Sequence, residues 1–443
     1  MKTIRIANAG GFWGDWLEAP KQQVLGGPID YLTIDYLAEL TMSMLANQLA
    51  SHPNRGFIFD FVKMIEELLP EISKRKIKVI SNAGGMNPKG CALAIKELVN
   101  KLGLNTKVAF VSGDDFRDSV GKLNLTNLES GQSIQEISPK ITSANAYLGS
   151  EKIVEALRSG ADIVITGRIS DASLTVAPLI YEFDWTDNDW DKLALGIVTG
   201  HVLECGAQAT GGNCSFDWKS VSNFAEIGFP IAEISSDLTA IITKHPNTGG
   251  IVNRHTVTEQ LIYEIGDPKS YISPDGVADF TTIKLEDLGN DRVKISGVKG
   301  KPRTDFYKGS ISYAAGYRAE GSLLFSWPDA LEKAQVADKI VRQRLQKLRL
   351  QFDDIVTEFI GHSACHGDLS ATSDAPEILL RMAVRGQDKK AVNRFVRELA
   401  PLVLGGPPGI SGYAGSRGGA EEVFAYWPTL VPRDAINQKW EMR

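Results

Sequence analysis

The sequence predicts an α/β protein, with an N-terminal doubly wound, mostly parallel sheet over residues 1–200 and a C-terminal α+β domain over residues 201–443. Three observations support that division. Before residue 200, short apolar runs alternate with segments of helical period, the pattern of a sheet covered on both faces. After it, strand-like runs follow one another before the helical ones. The length, 443 residues, also exceeds what one hydrophobic core organises.

The elements follow in order. TIRIAN (Thr3–Asn8) is a strand running into Ala9-Gly10-Gly11. A helix is expected at Ile34–Leu49, where Ile34, Leu37, Ala38, Leu45 and Leu49 share one face of a 3.6-residue period. Phe61, Ile65, Leu68, Leu69 and Ile72 make a second such face, which Pro70 should kink or end. KVIS (Lys78–Ser81) opens onto Asn82-Ala83-Gly84-Gly85, and Cys91, Ile95, Leu98, Val99 and Leu102 repeat the helical spacing. Lys107–Val111 opens onto Ser112-Gly113-Asp114-Asp115, and Ala161–Thr166 onto Gly167-Arg168. All four polar loops fall at the carboxyl ends of strands, where ligands of such sheets bind.

Beyond residue 200, Phe229–Pro246 and Asp279–Gly300 read as strands, the second a hairpin turning at Gly289-Asn290-Asp291. Lys308–Pro328 adds two or more strands separated by glycines. A helix at Asp329–Leu350 has Leu331, Ala334, Ile340, Val341, Leu345 and Leu348 on its apolar face, leaving its charges as a solvated face. Strands near Asp354–Ile360 and Glu377–Val384 and a helix at Lys389–Leu402 complete the domain. Leu404–Gly419, rich in glycine and proline, is too irregular for either element.

Composition removes several function classes. A formal charge of −6, without a dense lysine or arginine block, argues against a nucleic-acid partner. No stretch approaches the roughly 18 apolar residues of a membrane span, and the N-terminus lacks a signal-peptide core. Four cysteines without a CxxC pair fit a reducing compartment. The expected location is therefore the cytoplasm, and the sequon at Asn124 carries no weight.

Several side chains suit chemistry. Arg168, in ITGRISDASL, offers a planar fork matched to carboxylate or phosphate. Asp171 or Ser170 stands where it could cap the helix that follows. The alternative for Arg168 is a surface pair with Asp171, worth almost nothing. Asn82, Gly84, Gly85 and Asn87 form a loop whose backbone N–H groups and helix N-terminus could approach an anion, or else a tight structural turn. Asn8, Gly10, Gly11 and Asp15 carry the same two readings, and Asp114 is a further strand-end candidate.

On a helix, His201, Glu204 and Cys205 share a face, just before Gly211 and Gly212. They suit proton abstraction beside a carbonyl, or a nucleophile with its base. Equally, they suit a buried structural cysteine beside a paired glutamate. Zinc held there with Cys214 matches no standard spacing. Lys244, His245 and Arg254 surround another double glycine and suit a phosphate or carboxylate. His362 and His366 have H-x3-H spacing around Cys365, but flanking glycines weaken the helix that would align them. No metal and no cofactor is predicted. The glycine fingerprint of a dinucleotide site is missing too.

The blocks SNAGGMNP, TGRISDASLTVAPL, HVLECGAQATGGN, TKHPNTGGIVNRHTVTEQLIYEIGDP and GGPPGISGYAG…FAYWPTLVPR resemble those of the acyclic terpene utilisation protein A (AtuA) family, from the first strand to about Arg433. The family is named for a gene cluster that degrades branched terpenoid acids as coenzyme A thioesters, and the resemblance carries over no reaction or catalytic residue. It implies a small partner chain of ferredoxin-like fold, because the sequence stops at Arg443, just after the PTLVPR block. In the GHSACHGD segment the family pattern keeps His366-Gly367 but not His362.

Together these features predict an enzyme of carboxylic-acid or acyl-CoA catabolism using proton-transfer chemistry, of hydratase, dehydratase or isomerase type. Coenzyme A would enter only as part of the substrate, and a homo-oligomer is expected. The alternatives are acyl transfer or thioester hydrolysis through Cys205, and a non-catalytic ligand-binding or scaffold subunit.

Overall fold

The computed structural model describes residues 2–370, 375–414 and 419–443. It is a mixed α/β protein that divides into two compact units, Met1–Ser312 with Tyr426–Arg443, and Tyr313–Ala425.

The first unit opens with strands β1 (Thr3–Asn8), β2 (Tyr31–Ile34), β3 (Lys78–Ser81), β4 (Val108–Ser112), β5 (Ile141–Ala146) and β6 (Ile163–Thr166). Interleaved with them are helices α1 (Ala19–Gly26), α2 (Glu39–Ser51), α3 (Phe59–Arg75), α4 (Pro88–Lys101) and α5 (Glu151–Arg158). After β6 come α6 (Ser173–Phe183) and α7 (Trp190–Glu204). Strands β1, β2, β3, β6 and β4 pair in that order, all parallel. Because strand side chains alternate, Leu32, Val79, Ile163 and Ile165 join a core with Leu45, Phe61, Ile65 and Ile95 from α2, α3 and α4. Helices α5, α6 and α7 contact β4, β2 and β1.

The same sheet continues past residue 200. Strand β7 (Ile231–Ser235) lies antiparallel beside β1, with Ile4 opposite Ile234, and β8 (Thr239–Thr243) follows it. Helix α8 (Arg254–Ile262) and the short strands β9 (Tyr271–Ser273) and β10 (Gly276–Asp279) come next. The predicted hairpin, β11 (Lys284–Asp287) and β12 (Val293–Ser296), closes this edge against β8, while β13 (Lys299–Lys301) pairs with β10. The expected boundary at residue 200 is thus corrected. The apolar residues of β7 are buried only by completing the edge of β1, so the antiparallel strands extend the parallel sheet instead of founding a domain.

The second unit is a sheet with two covering helices. Strand β14 (Phe306–Ser326) leads into it, followed by α9 (Ala330–Lys347), β15 (Asp354–Ile360), β16 (Glu377–Gly386) and α10 (Lys389–Leu399). The short α11 (Leu402–Gly405) and β17 (Ile410–Ala414) come after, and β18 (Glu421–Pro432) leads back out. Strand order is β15-β16-β14-β17, and Leu323, Phe325, Leu380 and Met382 pack with Ala334, Val341, Leu345 and Phe395. The last strand, β19 (Lys439–Met442), pairs antiparallel with β4 at the far edge of the large sheet.

Four expectations are corrected. Ile34 belongs to β2, where it is buried and pairs with Ser81, and the helix begins only at Glu39. Pro70 sits inside α3 without ending it. Six buried residues, Phe61 to Ile72, hold both halves of the helix against the core. At about 1.5–3 kcal/mol each, they outweigh a proline cost of about 3 kcal/mol. The glycine-interrupted segment after Lys308 is one continuous strand, because its glycines take positions in the ladder without breaking it. Leu404–Gly419 contains the end of α11 and β17, with residues 415–418 outside the described set. No helix of the described residues is long and apolar enough to cross a membrane.

One close approach ties α7 to the loop after β6. A Cβ on Gly200 would lie 2.6 Å from the Ala172 carbonyl oxygen and 2.7 Å from Ala172 Cα. Both are backbone atoms that cannot swing aside. Gly200→Ala should therefore destabilise the protein by about 1–3 kcal/mol, read as a lower urea midpoint. An unchanged midpoint would show that this contact does not fix the position of α7.

Candidate active site

A cavity of about 720 Å³ opens at the carboxyl ends of the parallel strands in the first unit. The loop after β1 contributes Gly11 and Asp15, that after β2 Asp35 and Glu39, and that after β6 Arg168, Ser170 and Asp171. The end of α7 contributes His201, Glu204 and Cys205, and Tyr147, Tyr271 and Lys308 complete the polar wall. Arg168 and Glu204, far apart in sequence, therefore face one space.

Arg168 is 2% exposed, so its position is decided by what meets its charge. One Nη donates to Asp171 Oδ1 at 2.6 Å and the other to the Leu37 carbonyl, while Nε has no partner. Its guanidinium stacks over the Tyr147 ring, 4.1 Å from the centroid. Burial works against its charge, but Asp171, Tyr147, Asp35 and Glu39 outweigh burial and raise its pKa. Asp171 does not cap α6, whose N-cap is Ala172 with no side-chain bond. The Arg168–Asp171 contact is not a surface pair either, because its cation is buried.

Around this ion the loops are braced by hydrogen bonds. Asp35 Oδ1 accepts from Leu37 N at 3.0 Å and from Asn82 Nδ2 at 2.6 Å, and Asn82 Oδ1 accepts from Tyr36 N at 2.8 Å. Glu39 accepts the Tyr147 hydroxyl at 2.5 Å and faces Lys308 at 3.4 Å. Burial alone would raise the Glu39 carboxyl, but Tyr147, Arg168 and Lys308 together hold it below its ordinary range. Asp114 lies behind the loop, where its Oδ2 accepts from Arg168 N at 2.9 Å and Asn145 Nδ2 at 2.8 Å.

On the facing wall, His201 Nδ1 sits 2.9 Å from Glu204 Oε1. The ring is 1% exposed, and neither ring nitrogen has a well-directed hydrogen bond. Burial lowers His201, yet the Glu204 charge and contact overcome it and the net direction is upward. Burial raises Glu204 by more than His201 lowers it. The Cys205 thiol is pushed up to about 12, chiefly by burial and then by the Glu204 charge, so it is not a thiolate at neutral pH.

Of the other predicted residues, Gly11, Asp15 and Gly212 line the cavity and the rest do not. Asn8 and Gly10 close a buried turn on each other, with Gly10 N donating to Asn8 Oδ1 at 2.9 Å. Asp15 accepts Gly11 N at 2.9 Å and Trp16 N at 2.7 Å, so its donors are local. Gly84 and Gly85 are buried turn residues, and a Cβ on Gly84 would come 2.5 Å from the Thr166 carbonyl. Asn87 caps α4 through Gly90 N. Gly84 thus serves the close approach of the loop after β3 to β6, Gly85 packs against Leu45 of α2, and neither lines the cavity. Gly212 reaches the lining, whereas Gly211 packs on Val221.

Lys244 is spent on Asp291, at 3.1 Å, and on the Thr248 carbonyl. His245 contacts the Gln23 carbonyl at 3.0 Å, and the Arg254 backbone N–H donates to Asp287. None of the three lines the cavity. The described residues hold no group of three or more His, Cys, Asp or Glu arranged for a metal.

Asp35, Glu39, Tyr147 and Lys308 were missed from sequence. Asp35 and Glu39 fell inside the wrongly extended helix, where acidic residues read as a solvated face. Only a strand assignment for YLTI would have exposed them as strand-end residues.

Asp114 provides a test of this bracing. Burial raises its carboxyl to about 7, against the opposing Arg168 and Asn145 hydrogen bonds. Its folded pKa exceeds the ordinary value of about 3.9, so its stabilising contribution is complete below about pH 4 and fades as pH rises towards 7. Asp114→Asn removes that loss. The variant should gain on wild type by on the order of 1 kcal/mol per pH unit across that window. Urea unfolding from pH 4.5 to 7 checks this, and parallel pH profiles would overturn the account.

No curated protein sequence matches the chain. A family model does, described as acyclic terpene utilisation family protein AtuA, and it spans residues 4–442. With that match covering nearly the whole chain, the protein belongs to the acyclic terpene utilisation (AtuA) family.

Proposed function

We propose that the protein is an enzyme of carboxylic-acid or acyl-CoA catabolism that moves a proton next to a carbonyl, as a hydratase, dehydratase or isomerase. The observation that carries this reading is the sharing of one cavity by Arg168 and the Glu204–His201 pair. Glu204 is the base. Its raised pKa brings it closer to neutrality, where a carboxylate is a better proton acceptor. In dehydration of a 3-hydroxyacyl thioester, Glu204 takes the C2 proton. The C–H electron pair becomes the double bond, and the C3–O bond breaks with the hydroxyl leaving.

Arg168 supplies positive charge near the developing enolate. An incoming carboxylate or phosphate meets Lys308, half-exposed at the cavity wall. Coenzyme A belongs to the substrate. Phe12, Tyr263 and Ile272, all exposed at the lining, offer apolar surface to an alkyl chain. A homo-oligomer and a small partner chain of ferredoxin-like fold remain part of the proposal.

The Cys205 alternative is weaker, because His201 faces Glu204 and burial keeps the thiol protonated. The scaffold alternative predicts ligand binding without turnover.

Thermal melting with coenzyme A, branched acyl-CoA thioesters and small hydroxy acids is the test, alone and with the partner chain. A ligand at about 100 times its Kd should add about 2.7 kcal/mol. Glu204→Gln should keep that shift and lose about 10²–10⁴ in turnover. Wild-type turnover in Glu204→Gln would overturn the base, and binding without turnover would favour the scaffold.

A further inference from the structure

We propose that Asp35 and Asp171 form a carboxyl pair that shares one proton and acts as the acid of this cavity, facing the Glu204 base, with Arg168 holding the charge left when the proton departs. The inference rests on the proton-transfer reading and adds the donor that reading lacks.

The two carboxyls lie within hydrogen-bonding reach of each other, one on the loop after β2 and the other after β6. A bare carboxylate only accepts hydrogen bonds, so two of them in contact need a hydrogen between them. Each is also anchored separately, Asp35 by Leu37 N and Asn82, and Asp171 by Arg168 at 2.6 Å. They cannot simply turn apart.

The surrounding charges point the same way. Arg168 is the cation facing the pair, and Glu39 and Glu204 add further acidic groups, so a second negative charge on the pair would be repelled. The ionisable groups facing the pair are Arg168, Glu39, Glu204, Tyr147, Tyr271 and Cys205. Burial raises both carboxyls further than Arg168 lowers them, in line with a retained proton. Two carboxylates so placed titrate as a pair.

Asp35 is 4% exposed, whereas 33% of the Asp171 side chain is open, so Asp171 is the member that can reach a substrate. On the facing wall the buried His201 ring pairs with Glu204 through Nδ1 at 2.9 Å. In dehydration the pair's proton goes to the leaving hydroxyl, which departs as water, while Glu204 keeps the C2 proton. The pair is left doubly negative against Arg168, whose guanidinium does not deprotonate. Glu204 then releases its proton to solvent and the pair takes one back, which resets both groups.

The test begins without substrate. Infrared difference spectra at pH 7, wild type minus variant, should show the loss of one protonated carboxyl band in both Asp35→Asn and Asp171→Asn, with the Asp114 contribution cancelling. A difference spectrum without that loss in either variant overturns the shared proton. A branched 3-hydroxyacyl-CoA in heavy water then separates the two roles. Deuterium exchange at C2 reports Glu204, and water loss reports the pair. Asp171→Asn, assayed below its own melting temperature, should keep exchange while losing about 10²–10⁴ in water loss, together with the alkaline limb of the pH profile. Water loss at the wild-type rate in that variant overturns the acid. Exchange unchanged in Glu204→Gln would instead sink the base alone, with the infrared band still deciding the pair.

Discussion

A guanidinium almost wholly removed from water, with no way to lose its proton, dictates most of what surrounds it. Leaving such a charge unpaired costs several kcal/mol, so the fold brings carboxylates to Arg168 from separate loops. Asp171 comes from its own loop, and Asp35 and Glu39 from the loop after β2. Each of these acids then needs its own partners. Asn82 and the Leu37 N–H hold Asp35, and Tyr147 and Lys308 hold Glu39. The polar loops at the strand ends are therefore one connected network, and Asp114 fixes it from behind through the Arg168 backbone.

The sheet explains how such a network can be built at all. Parallel strands β1, β2 and β6 end at one edge, so residues more than a hundred positions apart arrive together without long loops. Helix α7 adds the facing wall because Gly200 lets it approach Ala172, just past Asp171. His201 and Glu204 then lie one turn apart on the same face.

How much of this could be read in the sequence depended on how local each signal was. Four of the five central strands and most helices were visible because their apolar periods are complete within a dozen residues, whereas β2 reads as the start of the helix that follows it. The continuation of the sheet through β7 was not, since a strand's partner is set by which edge needs covering. Arg168, Glu204, His201 and Cys205 were identifiable from residue type at a strand end or on one helix face. Asp35 and Glu39 were lost through one misread period, in which Ile34, Leu37 and Ala38 happened to match a helix. Lys308 and Tyr147 carry no local mark at all, because only the tertiary fold brings them to the cavity. The glycine loop at Gly84 shows the opposite error. Its composition suits a ligand, yet the space is filled by the Thr166 carbonyl.

The internal pairing of Arg168 also changes what the cavity can ask of a ligand. A free arginine at a strand end would select an anion by charge. Here that charge is already matched by Asp171, Asp35 and Glu39, and Nε is sealed from solvent. A second carboxylate pressed against Arg168 would have to displace one of these acids or bring its own proton. In the reading proposed above, selection near Arg168 would fall on neutral, polarisable groups such as a thioester carbonyl or a hydroxyl. Anionic parts would be left to Lys308 and alkyl parts to Phe12, Tyr263 and Ile272. The arginine that looked like a ligand clamp is better understood as the charge that allows a cavity crowded with carboxyl groups to exist.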